Sequence, residues 1–285
     1  MNAAFRSEAG RLAVAAAYAD LLAHWPVACE QIRVPTREGE TFVIACGPAD
    51  APPLVLCHGA QANAAIWMVD AAAWSARFRV YAIDMIGEPG LSADSRPPLE
   101  TDAHALWMDD VLGGLGVDSA AFVGVSLGGW LALDYAIRRP GRVVALALIA
   151  PAGIGRQINF LAKTWPLLLL GSWGRRKMRE LVLGPAPTHL TAEEMRLGAF
   201  MLLTMSHVRP RIVTIPLASD AALRALSMPV LAVLGDRDAL IDTAEIRSRL
   251  ADCRPDARIV WLSGVGHFIR GQTALIGAFL GEVAS

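Results

Sequence analysis

Apolar residues in this 285-residue chain fall into short continuous runs, separated by stretches with helical spacing. Leu54–Cys57, Val80–Ile83, Ala120–Val125, Val143–Ile149, Val230–Leu234 and Ile259–Leu262 are apolar throughout and of strand length. Between and after them, residues 64–77, 101–112, 127–139, 244–250 and 274–283 follow a helical pattern. Strands that are apolar on both faces and alternate with helices predict a parallel sheet buried on both sides. Ahead of these runs, Gln31–Val34 and Thr41–Cys46 flank the polar turn Thr36-Arg37-Glu38-Gly39 and predict an antiparallel hairpin at a sheet edge. The first 30 or so residues are alanine-rich, with Leu12, Ala15, Tyr18 and Leu22 at helical spacing. That helix should stop at Trp25-Pro26, because proline disfavours helix at the residue before it.

The alternation breaks between residues 151 and 225. This block has no convincing core strand and carries helical stretches at Leu161–Leu170, Met178–Leu183 and Glu193–Met205, broken by Pro185, Pro187 and Pro210. It is too long for a loop and reads as a helical cap inserted over the carboxyl ends of the strands. Residues 1–150 and 226–285 would then form one core domain, with residues 151–225 as its cap.

Composition narrows the functional classes. The chain is 54% hydrophobic, yet its longest apolar run near the middle, Trp165–Gly171, is far too short to span a bilayer. The stretch Leu12–Ala23 is interrupted by Tyr18 and Asp20 and follows no basic leader, so a cytoplasmic protein without a membrane partner is expected. A formal net charge of −1 suggests no nucleic-acid partner, and Arg175-Arg176-Lys177 reads as a solvated helix face. Cys29, Cys46, Cys57 and Cys253 match no zinc-binding or C-x-x-C spacing; they are read as reduced thiols without chemistry, and no metal is expected.

Chemistry enters at Gly124-Val125-Ser126-Leu127-Gly128, a G-x-S-x-G placed between a strand and a helix. A serine on so tight a turn is strained, and its hydroxyl points out of the sheet. A serine hydroxyl needs a neighbouring base, and His267, in Gly264-Val265-Gly266-His267 after the last strand, can supply one. A carboxylate on the far imidazole nitrogen would fix its tautomer. Asp238 follows the preceding strand and is preferred to Asp236 and Asp242, which also suit helix capping. A tetrahedral intermediate needs two N–H donors. Leu127, at a helix N-terminus, is one candidate and Ala60, in His58-Gly59-Ala60, the other. His58 itself is read as holding that turn by a side-chain hydrogen bond.

The order Ser126, Asp238, His267, with His58-Gly59, Asp84…Gly87…Gly90…Ser92 and Gly235…Asp238, resembles the α/β-hydrolase superfamily from about residue 30 to 283. Val34-Pro35-Thr36-Arg37, Trp67 and Ile83-Asp84-Met85-Ile86-Gly87-Glu88-Pro89-Gly90 look most like bacterial carboxylesterases of the naproxen-esterase kind. The resemblance implies an α/β fold, with a mostly parallel eight-stranded sheet, helices on both faces and a helical cap. It implies hydrolysis of small, mainly apolar carboxylic esters through an acyl-enzyme, with no cofactor. Carbon–carbon bond hydrolysis and perhydrolase or haloperoxidase chemistry use the same triad, and a non-catalytic ligand-binding protein of this fold is a further alternative. The site His58-Gly59-Ala60-Gln61 departs from the His-Gly-Gly-Gly loop of many members, which argues against bulky tertiary-alcohol esters. Gly87-Glu88-Pro89-Gly90, where a glycine-x-glycine is usual, is read as structural. Gln61, Trp165, Trp173, Phe200, Met201 and Met205 are candidates to line the substrate pocket, although the five from the insertion also suit plain packing onto the core. An exposed apolar insertion leaves a homodimer open.

Overall fold

The computed structural model describes residues 4–184, 189–209, 211 and 213–283. Its sheet has eight strands: β1 (Cys29–Thr36), β2 (Gly39–Cys46), β3 (Pro53–Cys57), β4 (Arg79–Ile83), β5 (Ala120–Val125), β6 (Val143–Ile149), β7 (Val230–Gly235) and β8 (Arg258–Leu262). They lie in the order β1-β2-β4-β3-β5-β6-β7-β8. Only β2 runs against its neighbours, β1 and β4; every other pair is parallel. The chain passes from β3 to β4 on one side, then returns to place β5 on the other side of β3. The loops leaving β3 and β5 therefore diverge and open a crevice at their carboxyl ends, the place where open α/β sheets gather ligands.

Helices cover both faces, as continuous apolar strands require. On one face α3 (Ala103–Gly114), α4 (Leu127–Arg138) and α9 (Thr243–Cys253) bury Trp107, Met108, Val111, Leu131, Tyr135, Ile246 and Leu250. On the other, α1 (Glu8–Ala23), α2 (Met68–Ser75) and α10 (Thr273–Val283) bury Tyr18, Met68, Trp74, Ile276 and Phe279. Cys46, Cys57 and Cys253 are buried free thiols, and burial pushes Cys57 up to about 12, which makes it inert.

The described residues between β6 and β7 hold α5 (Phe160–Leu168), α6 (Gly171–Leu183), α7 (Ala192–His207) and the short α8 (Asp220–Arg224). Gly171, at φ +57°, separates α5 from α6, so α6 begins seven residues before the expected Met178. Ser219 caps α8, a helix the apolar pattern did not announce. Pro185, Pro187 and Pro210 lie outside the described residues. At the chain start, the helix is confined to Glu8–Ala23, and residues 4–6 extend alongside the end of α7. Arg6 N–H donates to the His207 carbonyl at 2.8 Å and Arg209 N–H to the Ala4 carbonyl at 2.8 Å. Phe200 of α7 stacks on Tyr18 of α1 with ring centroids 5.7 Å apart. No helix among the described residues is long and apolar enough to cross a membrane.

Candidate active site

Ser126 follows β5 directly and has φ +51° and ψ −111°, a conformation costly for any residue with a Cβ. Three backbone bonds hold it there: its N–H donates to the Ile149 carbonyl, and its own carbonyl accepts from Trp130 and Ala152, each at 3.0 Å. The flanking glycines are required by close approach. A Cβ on Gly124 would stand 2.4 Å from the Gly128 carbonyl oxygen, and one on Gly128 would stand 2.2 Å from that of Cys57.

Two further strand ends deliver their side chains to this serine. His267 places Nε2 3.0 Å from Ser126 Oγ and Nδ1 2.7 Å from Asp238 Oδ2. A carboxylate only accepts, so Nδ1 carries the proton and Nε2 is left to accept from the serine hydroxyl. The Asp238 side chain is fully buried, and its second oxygen takes the N–H groups of Leu240 and Ile241. The two competing aspartates are occupied elsewhere. Asp236 accepts the Gly264 N–H at 2.7 Å and so braces the loop leading to His267. Asp242 caps α9 through the Glu245 N–H.

The loop after β3 comes close to Ser126: a Cβ on Gly59 would lie 3.6 Å from Ser126 Cβ. The Leu127 N–H opens α4 and has no intrahelical partner. Among the described residues, neither it nor the Ala60 N–H meets an acceptor. His58 is fully buried and holds this turn. Its Nε2 accepts the Met85 N–H at 2.9 Å, and its Nδ1–H donates to the Gly59 carbonyl at 2.8 Å. Carbonyl and N–H point opposite ways across a trans peptide, so the bond to Gly59 also aims the N–H of Ala60. Burial lowers the His58 pKa to about 4, which keeps the ring neutral and able to accept from Met85.

The segment Asp84–Ser92 is a template for this loop, a role that sequence reasoning missed. Besides the Met85 bond, the Ala64 N–H donates to Asp84 Oδ1 at 2.8 Å, Asn63 Nδ2 to the Pro89 carbonyl at 3.0 Å, and the Gln61 N–H to Glu88 Oε2 at 2.7 Å. Tyr18 of α1 adds a hydrogen bond to Asp84 Oδ1 at 2.9 Å. A run of polar and glycine residues after a strand signals a turn, but its partner loop is set by the sheet order.

A cavity of about 480 Å³ opens beside these groups, between α2, α7 and α10. Its wall includes Val125 and Phe268, the sequence neighbours of Ser126 and His267, together with Ile66, Trp67, Leu197 and Met201. Of the six residues expected at substrate, Met201 lines this cavity. Phe200 points instead into the core against Tyr18. Trp165 and Trp173 are about half exposed on α5 and α6, and Met205 is also exposed. Gln61 sits in the turn after Ala60 at φ +60°. The insertion divides: Trp165, Leu169 and Trp173 of α5, α6 and the turn between them are exposed, whereas Leu197 and Phe200 of α7 are buried. Much of the cavity wall comes from α2 and from residues 268–272 ahead of α10, which only tertiary packing brings together.

The sheet order, the single reversed strand and the serine turn at the crevice are those of an α/β-hydrolase. The chain belongs to the alpha/beta hydrolase family, whose model matches residues 54–274. It is similar to carboxylesterase YbfK of Bacillus subtilis, at 31% identity over 89% of this chain and 86% of the relative. The crystal structure of that carboxylesterase superposes with a TM-score of 0.80, covering 96% of this chain and 98% of the other. Naproxen esterase (carboxylesterase NP) from Bacillus subtilis superposes with a TM-score of 0.78 at 28% identity, covering 95% and 96% of the two chains.

Proposed function

We propose that this chain is a serine carboxylesterase acting on small, mainly apolar esters through an acyl-enzyme. The observation that carries this reading is His267 lying between Ser126 Oγ, at 3.0 Å, and Asp238 Oδ2, at 2.7 Å. Ser126 Oγ attacks the ester carbonyl as its proton passes to His267 Nε2. The carbonyl oxygen becomes an oxyanion between the N–H groups of Leu127 and Ala60. When it collapses, the bond to the alcohol oxygen breaks and His267 returns the proton to that oxygen. Water then enters, gives a proton to His267 and attacks the acyl carbon. Collapse of this second intermediate frees the acid, and Ser126 regains its proton. Asp238 orients the imidazole and stabilises its cation throughout. General-base assistance contributes about 10²–10⁴-fold to such a reaction. Each oxyanion donor contributes roughly 10²–10³-fold.

The cavity of about 480 Å³ suits an aryl or branched apolar group. Its wall carries Asp70, Glu193 and Glu194 against Arg270, an acidic balance that disfavours anionic substrates. Carbon–carbon bond hydrolysis of a vinylogous diketone calls for a cation to grip a carboxylate. Arg175 and Arg209, two basic residues of the insertion, are both exposed. Neutral esters are therefore the substrates favoured here. The test is turnover of a p-nitrophenyl ester series by the native chain and by Ser126→Ala. Rapid hydrolysis by the former and background rates for the latter are expected; a native chain inert to every ester contradicts the reading.

A further inference from the structure

The Gly87-Glu88-Pro89-Gly90 turn replaces a glycine-x-glycine with a glutamate that is 4% exposed. A buried carboxylate is costly unless it is satisfied. Glu88 spends one oxygen on the oxyanion loop: Oε2 accepts the Gln61 N–H at 2.7 Å. Its other oxygen faces Arg211 Nη1 at 3.8 Å, on a side chain that is also largely buried and comes from the segment after α7. Arg96, whose Nε donates to the Gly87 carbonyl at 2.8 Å, adds a second cation near this turn.

These contacts bracket Ala60. The peptide before it is pinned by His58, through the Gly59 carbonyl. The peptide after it is pinned by Glu88, through the Gln61 N–H. Gln61 needs that second pin, because it sits at φ +60°, a left-handed conformation that a glutamine does not choose freely. With both planes fixed, Ala60 has little freedom to turn its N–H away from Ser126.

We propose that Glu88 is a positioning residue that aims the Ala60 N–H at the oxyanion by holding the Gln61 N–H, with Arg211 as its buried counter-charge. The proposal rests on the assignment of Ala60 as an oxyanion donor. What it requires of residue 88 is reach, an acceptor oxygen at the Gln61 N–H, more than charge.

Two variants separate reach from charge. Glu88→Asp keeps the charge but draws the acceptor back by one methylene. Glu88→Gln keeps an oxygen in reach but leaves Arg211 without its counter-ion. In Glu88→Asp, kcat on a p-nitrophenyl ester should fall about tenfold to a hundredfold, as misplacement by about 1 Å does, with KM within about twofold. Affinity for a trifluoromethyl ketone, which forms an oxyanion on addition of Ser126, should fall in step with kcat/KM. Affinity for the matching methyl ketone should stay unchanged. In Glu88→Gln, kcat should stay within about threefold of native while the melting temperature drops, since a buried cation has lost its partner. The proposal is overturned if Glu88→Asp keeps native kcat, if Glu88→Gln loses as much kcat as Glu88→Asp, or if both ketones weaken together. A native chain that turns over no ester and reacts with no organophosphate would instead defeat the esterase reading itself.

Discussion

Asp238 turns Oδ2 to the Nδ1–H of His267 at 2.7 Å and gives Oδ1 to the N–H groups of Leu240 at 2.8 Å and Ile241 at 3.0 Å. With both oxygens committed, the carboxylate cannot rotate without breaking bonds. An asparagine there would offer His267 an amide N–H or leave a backbone donor facing one. Asp238→Asn should lower kcat by roughly 10³–10⁴ with little change in KM, because it favours the wrong imidazole tautomer. Asp236→Asn and Asp242→Asn should retain most activity, and Asp242→Asn should keep native stability, because asparagine caps a helix as well as aspartate does. Steady-state kinetics and urea denaturation on the three variants check this assignment.

Gly198 lines the cavity from α7, and a Cβ built on it meets nothing within 4 Å. Gly198→Ala should stabilise the fold by about 1 kcal/mol, the helix-propensity difference between the two residues. Gly198→Phe should fill the space beside Met201. If the cavity takes the bulky group of the ester, KM for a naphthyl ester should rise about tenfold while that for an acetyl ester changes little. Equal effects on both esters would place the bulky group elsewhere.

His104 is buried against the Trp130 ring, its Nδ1 has no hydrogen-bond partner among the described residues, and burial lowers its pKa from 6.5 to about 4. Below pH 6.5 the unfolded chain takes up a proton that the folded chain refuses until about pH 4. The stability tied to this group is therefore present at neutral pH and lost as pH falls from 6.5 through 4. His104→Phe removes that loss. Relative to the native chain, the variant should gain about 3 kcal/mol between pH 7 and pH 4. Urea midpoints measured at the two pH values give the difference directly, and a gap that stays constant with pH would contradict it.

The sheet was legible because its strands are apolar on both faces, a pattern that few other arrangements satisfy. The meeting of Ser126, Asp238 and His267 was legible for a related reason, since each follows a strand and a parallel sheet brings strand ends together. The side-chain partners of the insertion were harder to read. Trp165 and Phe200 are both apolar residues at helical spacing, yet one faces solvent and the other packs on Tyr18. Periodicity defines a face but does not say what covers it. Glu88 was opaque for a different reason: a polar residue in a glycine-rich turn carries no sign of its partner, and only the sheet order places Gln61 against it.

Reaction of the native chain with a fluorophosphonate, followed by peptide mapping, tests the central claim most directly. Ser126 should carry the phosphonyl group at one-to-one stoichiometry, slowed severely in His267→Ala and absent in Ser126→Ala, with ester turnover lost in parallel. Modification at another residue, or ester turnover that persists in Ser126→Ala, would contradict the account.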